Sequence, residues 1–465
     1  MADPVHALRD AQPTPFWLDD PGRPAARPAL TGDTRCDLLV VGGGYSGLWT
    51  ALLAKERDPG RDVLLVEARE CGWAASGRNG GFCESSLTHG LANGHQRWPA
   101  ELAELERLGR ANLDAVQDAV HRYGIDCDWQ RTGSLTVATR PHQVGELREF
   151  ADLAARYGSH HDVLDRDEVR AEIDSPTFLG GLWDRHGVAM VNPARLAWGL
   201  KRACEELGVR IHEHTPAADL AATPTGVTAR TPYGRITAGR VALATNAFPS
   251  LLRRHRPYTV PVYDYALMTE PLGAERLAAI GWQHRQGWAD SDNHFHYVRI
   301  SADDRILFGG YDVVHRHRGR VSADRDQRPE TFATLARHFA RTFPQLEGVR
   351  FTHAWGGAID TCTRFSVFFD LSHRGRVAYA AGYTGLGVGA TRFGAEVMLD
   401  LLAGARTERT ALELVRRKPL PFPPEPVRSL GIGLTQWSLH RADARAGRRN
   451  LWLKAMDRLG LGFDS

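Results

Sequence analysis

Two hydrophobic patterns alternate along the chain. Short continuous apolar runs, Leu38 to Val41 and Val63 to Val66, read as strands buried on both faces. Between them, from Gly44 to Arg57, Leu48, Ala51, Leu52 and Ala54 recur at helical spacing. Strand, glycine-rich turn, helix and strand in that order form a right-handed crossover unit of the dinucleotide-binding kind. A long helical pattern follows from about Pro99 to Tyr123, and "GSLTVATR" opens a new strand. After a helix and strand in "VNPARLAWGLKRACEELGVRIHEH" comes the short buried strand of "RVALATNAF". Strands are expected over Tyr258 to Glu270, His294 to Ile300 and Arg305 to Tyr311, and a helix over Thr331 to Phe343. The chain then returns to strand, glycine turn and helix in "RVAYAAGYTGLGVGATRFGAEVMLDLLAG".

The expected class is therefore α/β, α+β overall. A discontinuous Rossmann-like domain over 35–98, 190–255 and 350–412 is interrupted by an antiparallel-sheet substrate domain over 99–189 and 256–349. Residues 1–34, rich in Pro and Arg, are expected to lie as an extended arm over the surface. Residues 413–465 follow the proline-rich "LPFPPEPVRSL" as a C-terminal helical extension. No repeat at solenoid or propeller period is found.

Composition narrows the class of partner. A chain of 465 residues exceeds one compact core. Its net charge of +3 offers no global attraction to nucleic acid or anionic membrane, so a small molecule is the expected partner. No run approaches the roughly 20 apolar residues of a bilayer span. The start, "MADPVHALRDAQPTPFW", has no basic segment followed by an apolar core, so a cytoplasmic location is expected. Cys36, Cys71, Cys83, Cys127, Cys204 and Cys362 form no C-x-x-C pair, which argues against a disulfide framework or a zinc site. They read as buried thiols, with covalent cofactor attachment at Cys362 or Cys83 as the alternative.

Gly42, Gly44 and Gly47 have the G-x-G-x-x-G spacing, directly after a strand and opening a helix. Such a turn brings a pyrophosphate onto backbone amides at the positive end of a helix. Glu67, ending the next strand, is placed to accept hydrogen bonds from a ribose diol. NAD and FAD share this unit, and the choice between them lies elsewhere.

Three ordered motifs, the turn at Gly42–Gly47 with "ARECGWAASGRNGGF" after Glu67, "ATNA" at Ala244–Ala247, and "AGYTGLGVGATRFGAE", resemble the FAD-dependent amine and amino-acid oxidase superfamily. The likeness extends over most of residues 36–405, and "GRNGG" is closest in wording to its γ-glutamylputrescine oxidase branch. It implies an extended FAD. Gly42, Gly44, Tyr45, Ser46 and Gly47 would hold the pyrophosphate and Glu67, with Ala68 and Arg69, the adenosine ribose. Ala75, Ser76, Arg78, Asn79, Gly80 and Gly81 would lie beside the ribityl chain and isoalloxazine. Thr215 and Pro216 would border the adenine, and Ala244 and Thr245 would cover the pyrophosphate. Gly382, Tyr383, Thr384, Gly385, Leu386 and Gly387 would turn backbone donors toward the flavin N1 and C2 carbonyl.

The chain departs from its relatives where they bind substrate carboxylate. Trp355, Gly356, Gly357, Ala358, Ile359 and Asp360 place Ile359 where glycine-oxidase-like members write Arg, and Gly389 stands where sarcosine-oxidase-like members carry Lys. Arg78, Arg299 or Arg364 is the substitute guanidinium, and Asp360 is either a ligand for a second cationic centre or a capping carboxylate. Trp355 and Tyr383, with Tyr263, Tyr265 and Phe82, are candidates to wall the site, and Trp355, Tyr383, Asp360 and Arg299 form the expected catalytic set. Asp292, His294 and His296 lack a further metal partner, so no metal is expected.

The basic C-terminus carries Arg441, Arg445, Arg448, Arg449, Lys454 and Arg458 among Leu434, Trp437, Leu451, Trp452 and Leu453. It reads as a helical hairpin docked on the chain's own FAD domain or on a second subunit, as in a homodimer, with a membrane surface or acidic partner as the alternative. The resemblance implies oxidation of an amine C–N bond by hydride transfer to flavin N5, imine hydrolysis and reduction of O2 to hydrogen peroxide. An amine or polyamine derivative is favoured over a simple α-amino acid. The alternatives are a dehydrogenase with another electron acceptor, and a flavoprotein acting through partner binding.

Overall fold

The computed structural model describes residues 4–317, 319 and 321–461. Two sheets carry the chain. The first has the order Phe368–Ser372, Val377–Ala381, Gly234–Leu243, Thr34–Val41, Val63–Val66, Arg210–His212. Its centre is parallel, with Val40 opposite both Ala242 and Leu65. The apolar runs fill this position because parallel strands are covered by helices on both faces. Helix Tyr45–Arg57 crosses over from the first strand to the second and packs against helices Gly387–Ala403 and Pro193–Glu206.

The second sheet runs Val314–His315, Val260–Thr269, Ile306–Gly310, His296–Ile300, Gly287–Asp290, Ser134–Ala138, Gly180–Asp184, Asp162–Leu164. Helix Pro329–Thr342 closes one face over a core that includes Tyr263, Trp288, Phe308, Phe339 and Phe343. The other face looks toward the parallel sheet across a cavity.

Two assignments differ from the sequence expectation. Strand Phe351–Thr361, assigned with 350–412 to the nucleotide domain, pairs antiparallel with Val260–Thr269 and belongs to the second sheet. Its length lets it start in one sheet and end, at Asp360, against the glycine turn of the other. Helix Leu102–Arg122, assigned to the substrate domain, buries Leu105, Leu108, Leu113, Val116 and Val120 in the core around the crossover helix. Its periodicity identified an amphipathic helix, but periodicity does not say which core receives the apolar stripe.

The N-terminal segment runs exposed over 21–28, but its earlier part is anchored in the interior. The short helical turn Phe16–Leu18 buries Trp17 among Ala194, Trp198, Met268, Leu307 and Trp355, residues from both halves of the molecule. Its indole Nε1 donates to the Asn79 carbonyl at 2.9 Å. Trp17→Ala removes this plug, and the expected cost is about 3–5 kcal/mol, measured as a lowered denaturant midpoint.

Candidate active site

One cavity of about 900 Å³ lies between the sheets. Two helices begin at its wall. Helix Tyr45–Arg57 starts after Gly44 and helix Gly387–Ala403 after Leu386; neither N-cap residue supplies a side-chain cap, though the Ser76 hydroxyl accepts from the Tyr45 amide at 3.0 Å. The remaining N-terminal amides at a cavity are suited to an anion, since the helix end also carries partial positive charge. The two helix starts are joined where Ser46 Oγ meets the Tyr383 hydroxyl at 3.2 Å.

Each glycine turn is held by a buried carboxylate. Glu67 accepts from the Gly43 amide at 2.7 Å, and from the Arg69 amide and Trp73 indole at 2.9 Å each. Asp360 accepts from the Gly382 amide at 2.5 Å and the Tyr383 amide at 3.4 Å. Burial raises the Asp360 carboxyl to about 6, against the opposing pull of these amides. Gly42, at φ +111°, has no room for a side chain, because its Cβ would stand 2.5 Å from the Ala244 carbonyl oxygen.

Around the first turn, Gly42, Gly44, Tyr45, Ser46, Glu67, Ala68, Thr215, Pro216, Ala244 and Thr245 border the cavity. Ala75, Ser76, Arg78, Asn79 and Gly80 continue the wall, and Tyr383, Thr384, Gly385, Leu386 and Gly387 face it from the late loop. Four nominated positions stand behind the wall. A Cβ at Gly47 would lie 1.8 Å from the Gly42 carbonyl oxygen, so this glycine closes the turn upon the helix. Gly81 and Gly382, at φ +77° and +81°, turn the backbone, and the Arg69 guanidinium stacks 4.3 Å above Trp73.

The cavity fits an extended dinucleotide by its donor set. Besides these remaining amides, the buried hydroxyls of Thr245 and Thr361, both at the wall, have no hydrogen-bond partner among the described residues. A bound ligand with acceptor oxygens would satisfy them. The cysteines are buried, and Cys362 borders the cavity with its Sγ directed at the Ser366 carbonyl at 3.1 Å.

The expected substrate side is rearranged. Trp355 and Asp360 border the cavity, with the Trp355 indole donating to the Arg78 carbonyl at 2.9 Å. Arg299 does not border it: buried, its guanidinium is directed at the carbonyls of Gly81, at 3.3 Å, and Val191. Arg364 likewise serves the carbonyls of Leu414, Val367 and Arg417. Arg78 pairs with Asp326 at 2.7 Å and reaches the carbonyls of Trp73 and Gly356, each at 3.1 Å. Gly389 admits no lysine or any other side chain, for its Cβ would lie 2.1 Å from the Glu84 carbonyl oxygen.

Tyr263 turns its ring into the core under helix Pro329–Thr342, while Tyr265, with its hydroxyl on the Arg325 carbonyl, and Phe82 reach the wall. Asp264, Tyr297 and Glu84, which the sequence reading passed over, also face the cavity. Burial raises the Glu84 carboxyl to about 7 and Asp264 to about 6. Strict alternation along Val260, Val262, Asp264 and Ala266 would have found Asp264. Among the described residues, no group of three or more His, Cys, Asp or Glu could hold a metal, and His296 instead bonds Asp290 and His338 at 2.6 and 2.9 Å.

The C-terminal extension forms the expected hairpin, Val427–Asp443 and Leu451–Arg458, but it roofs the cavity with Ile432, Leu439, Trp452 and Met456. Asp443 fastens it to the substrate sheet's loop, accepting from the amides of Asn293 at 3.0 Å and His294 at 3.2 Å. No helix of the described residues is long and apolar enough to cross a membrane.

Comparison with known proteins agrees with this geometry. The family described as DAO, FAD dependent oxidoreductase, matches residues 37–401. The chain is 32% identical over 405 residues to gamma-glutamylputrescine oxidoreductase of Escherichia coli, covering 84% of this chain and 89% of that protein. It is 26% identical over 401 residues to probable oxidoreductase OrdL of Haemophilus influenzae, covering 84% and 88% respectively. Among solved structures, glycine oxidase from Geobacillus kaustophilus superposes with a TM-score of 0.68 at 20% identity, over 82% of this chain and 99% of that one. The chain belongs to the DAO family of FAD-dependent oxidoreductases.

Proposed function

We propose that the protein oxidises the C–N bond of an amine or polyamine derivative in preference to a simple α-amino acid. One observation carries the substrate preference. The three arginines nominated for a substrate carboxylate are directed at protein carbonyls or at Asp326, whereas Asp264 and Glu84 present carboxyl groups to the same cavity. A buried anion needs a fixed cationic partner, and an acidic wall instead suits a cation. The E. coli relative's name, with its putrescine amine, points the same way.

FAD, when bound, supplies the acceptor for the hydride that leaves the substrate's α carbon. The chain's share is alignment and charge. In this reading the helix starts at Gly44 and Leu386 hold the cofactor's anionic groups, and Thr245 and Thr361 add hydroxyl donors. Trp355, Tyr383 and the roof of Ile432, Leu439 and Trp452 exclude water while the amine lies against them. The imine product is hydrolysed to a carbonyl compound and ammonia or an amine, with O2 as the terminal acceptor reduced to hydrogen peroxide. The enzyme works in the cytoplasm.

Anaerobic addition of 1,4-diaminobutane derivatives is expected to bleach the flavin absorbance, and air to restore it with about one hydrogen peroxide per flavin. Restoration only by an added artificial acceptor would identify a dehydrogenase, and no bleaching by any amine or amino acid would sink the reading. Gly42→Ala, forced against the Ala244 carbonyl at 2.5 Å, should leave a folded chain by circular dichroism that has lost most of its FAD absorbance.

A further inference from the structure

We propose that Asp264, held by Tyr297, is the cation-recognition residue of this cavity and takes a protonated nitrogen of the substrate other than the one oxidised. The inference rests on the amine-oxidising reading and narrows its substrate to molecules with two nitrogen centres, one of them cationic.

Asp264 interrupts an apolar row. On strand Val260–Thr269 it stands between Val262 and Ala266 on the cavity face. Its Oδ2 accepts from the Tyr297 hydroxyl at 2.7 Å and its Oδ1 from the Tyr265 amide at 2.8 Å. Among the described residues no lysine or arginine forms an ion pair with it. The charged groups that act on it are Asp312, which repels it, and His296, which is already engaged by Asp290 and His338. A carboxylate so placed is costly to ionise, and a cation arriving from the cavity removes that cost.

Tyr297 is positioned by absent side chains. A Cβ at Gly309 would lie 2.5 Å from its ring, and one at Gly80 would lie 2.8 Å from it. The ring therefore occupies space left by a glycine of the substrate sheet and a glycine of the loop over 75–81. Its hydroxyl presents Asp264 beside that loop, where the resemblance puts the reactive end of the cofactor.

Asp360, the residue first nominated for a second cation, already holds Gly382 and Tyr383. Pairing with the reacting nitrogen would oppose the chemistry, because a carboxylate stabilises the ammonium form and hydride loss needs the neutral amine's lone pair. A second nitrogen carries no such conflict. Asn in place of Asp264 can accept the Tyr265 amide on its one carbonyl oxygen and donate its NH2 to the Tyr297 hydroxyl oxygen, so neither contact needs the charge. Replacement should even raise stability. The Asp264 carboxyl sits at about 6, above its ordinary value of 3.8, so the wild type loses stability as pH rises through about 6 while Asp264→Asn does not. The variant's melting temperature should exceed the wild type's at pH 8, and the two should converge below pH about 4.

The test titrates anaerobic holoenzyme with 1,4-diaminobutane, its mono-N-acetyl derivative and butylamine, reading flavin absorbance. The wild type should bind the diamine at least about tenfold more tightly than the two monocations. Asp264→Asn should erase that preference with FAD content unchanged. Equal affinities in the wild type, binding of none of the three, or a preference retained in Asp264→Asn would overturn the inference. So would a variant with lowered melting temperature at pH 8 or lost FAD, which would make Asp264 structural. Flavin reduction without a diamine preference defeats only this inference. A diamine preference without reduction by any amine defeats the oxidation reading and leaves the cation site standing.

Discussion

Two buried carboxylates, Glu67 and Asp360, organise the functional half of this molecule. Each takes the amides of one glycine turn, Gly43 for Glu67 and Gly382 with Tyr383 for Asp360. Glycine turns are conformationally loose, and the amides left to face a ligand cannot themselves fix the turn. Anchoring from behind resolves the conflict. The carboxylates fix the turns, the Ser46–Tyr383 contact joins the two helix starts, and the amides are left to face the cavity.

Asp360 also ties the two sheets together. The strand Phe351–Thr361 pairs with Val260–Thr269 in the second sheet and ends on the turn after Val377–Ala381 in the first. The wall that meets the substrate is thereby held in register with the wall that meets the cofactor. Trp17 locks the same junction from the N-terminal side, and the hairpin closes it above through Asp443. The junction between the sheets is thus closed from both the N-terminal segment and the C-terminal hairpin, neither of which carries a cofactor motif.

The parallel unit and its glycine turns were legible because their signals are local. A strand buried on both faces reads as an apolar run, and a tight turn demands glycine wherever the chain is met. The substrate wall was legible only in part. Tyr263 and Tyr265 drew attention by residue type, yet the alternation of the strand places Asp264 on the cavity face and Tyr263 in the core. Arg299 and Arg364 looked suited to an anion, but a buried guanidinium has five donors to satisfy, and nearby carbonyls satisfied them first. Tyr297 had no local mark at all, since the glycines that admit it, Gly80 and Gly309, are more than two hundred residues apart in the chain.

By itself the sequence determined a dinucleotide-binding unit and the places of the two glycine turns, because each rests on short-range sterics or on apolar periodicity; FAD came from the resemblance to a known family. The same resemblance set Gly389 and Ile359 where relatives are expected to carry a basic residue. Tertiary structure alone decided which charges remain unspent at the cavity wall and which helix packs on which core. It alone made the C-terminal hairpin a roof. These are matters of what stands opposite what across long separations, and a buried charge takes its meaning from the partner it finds or lacks there.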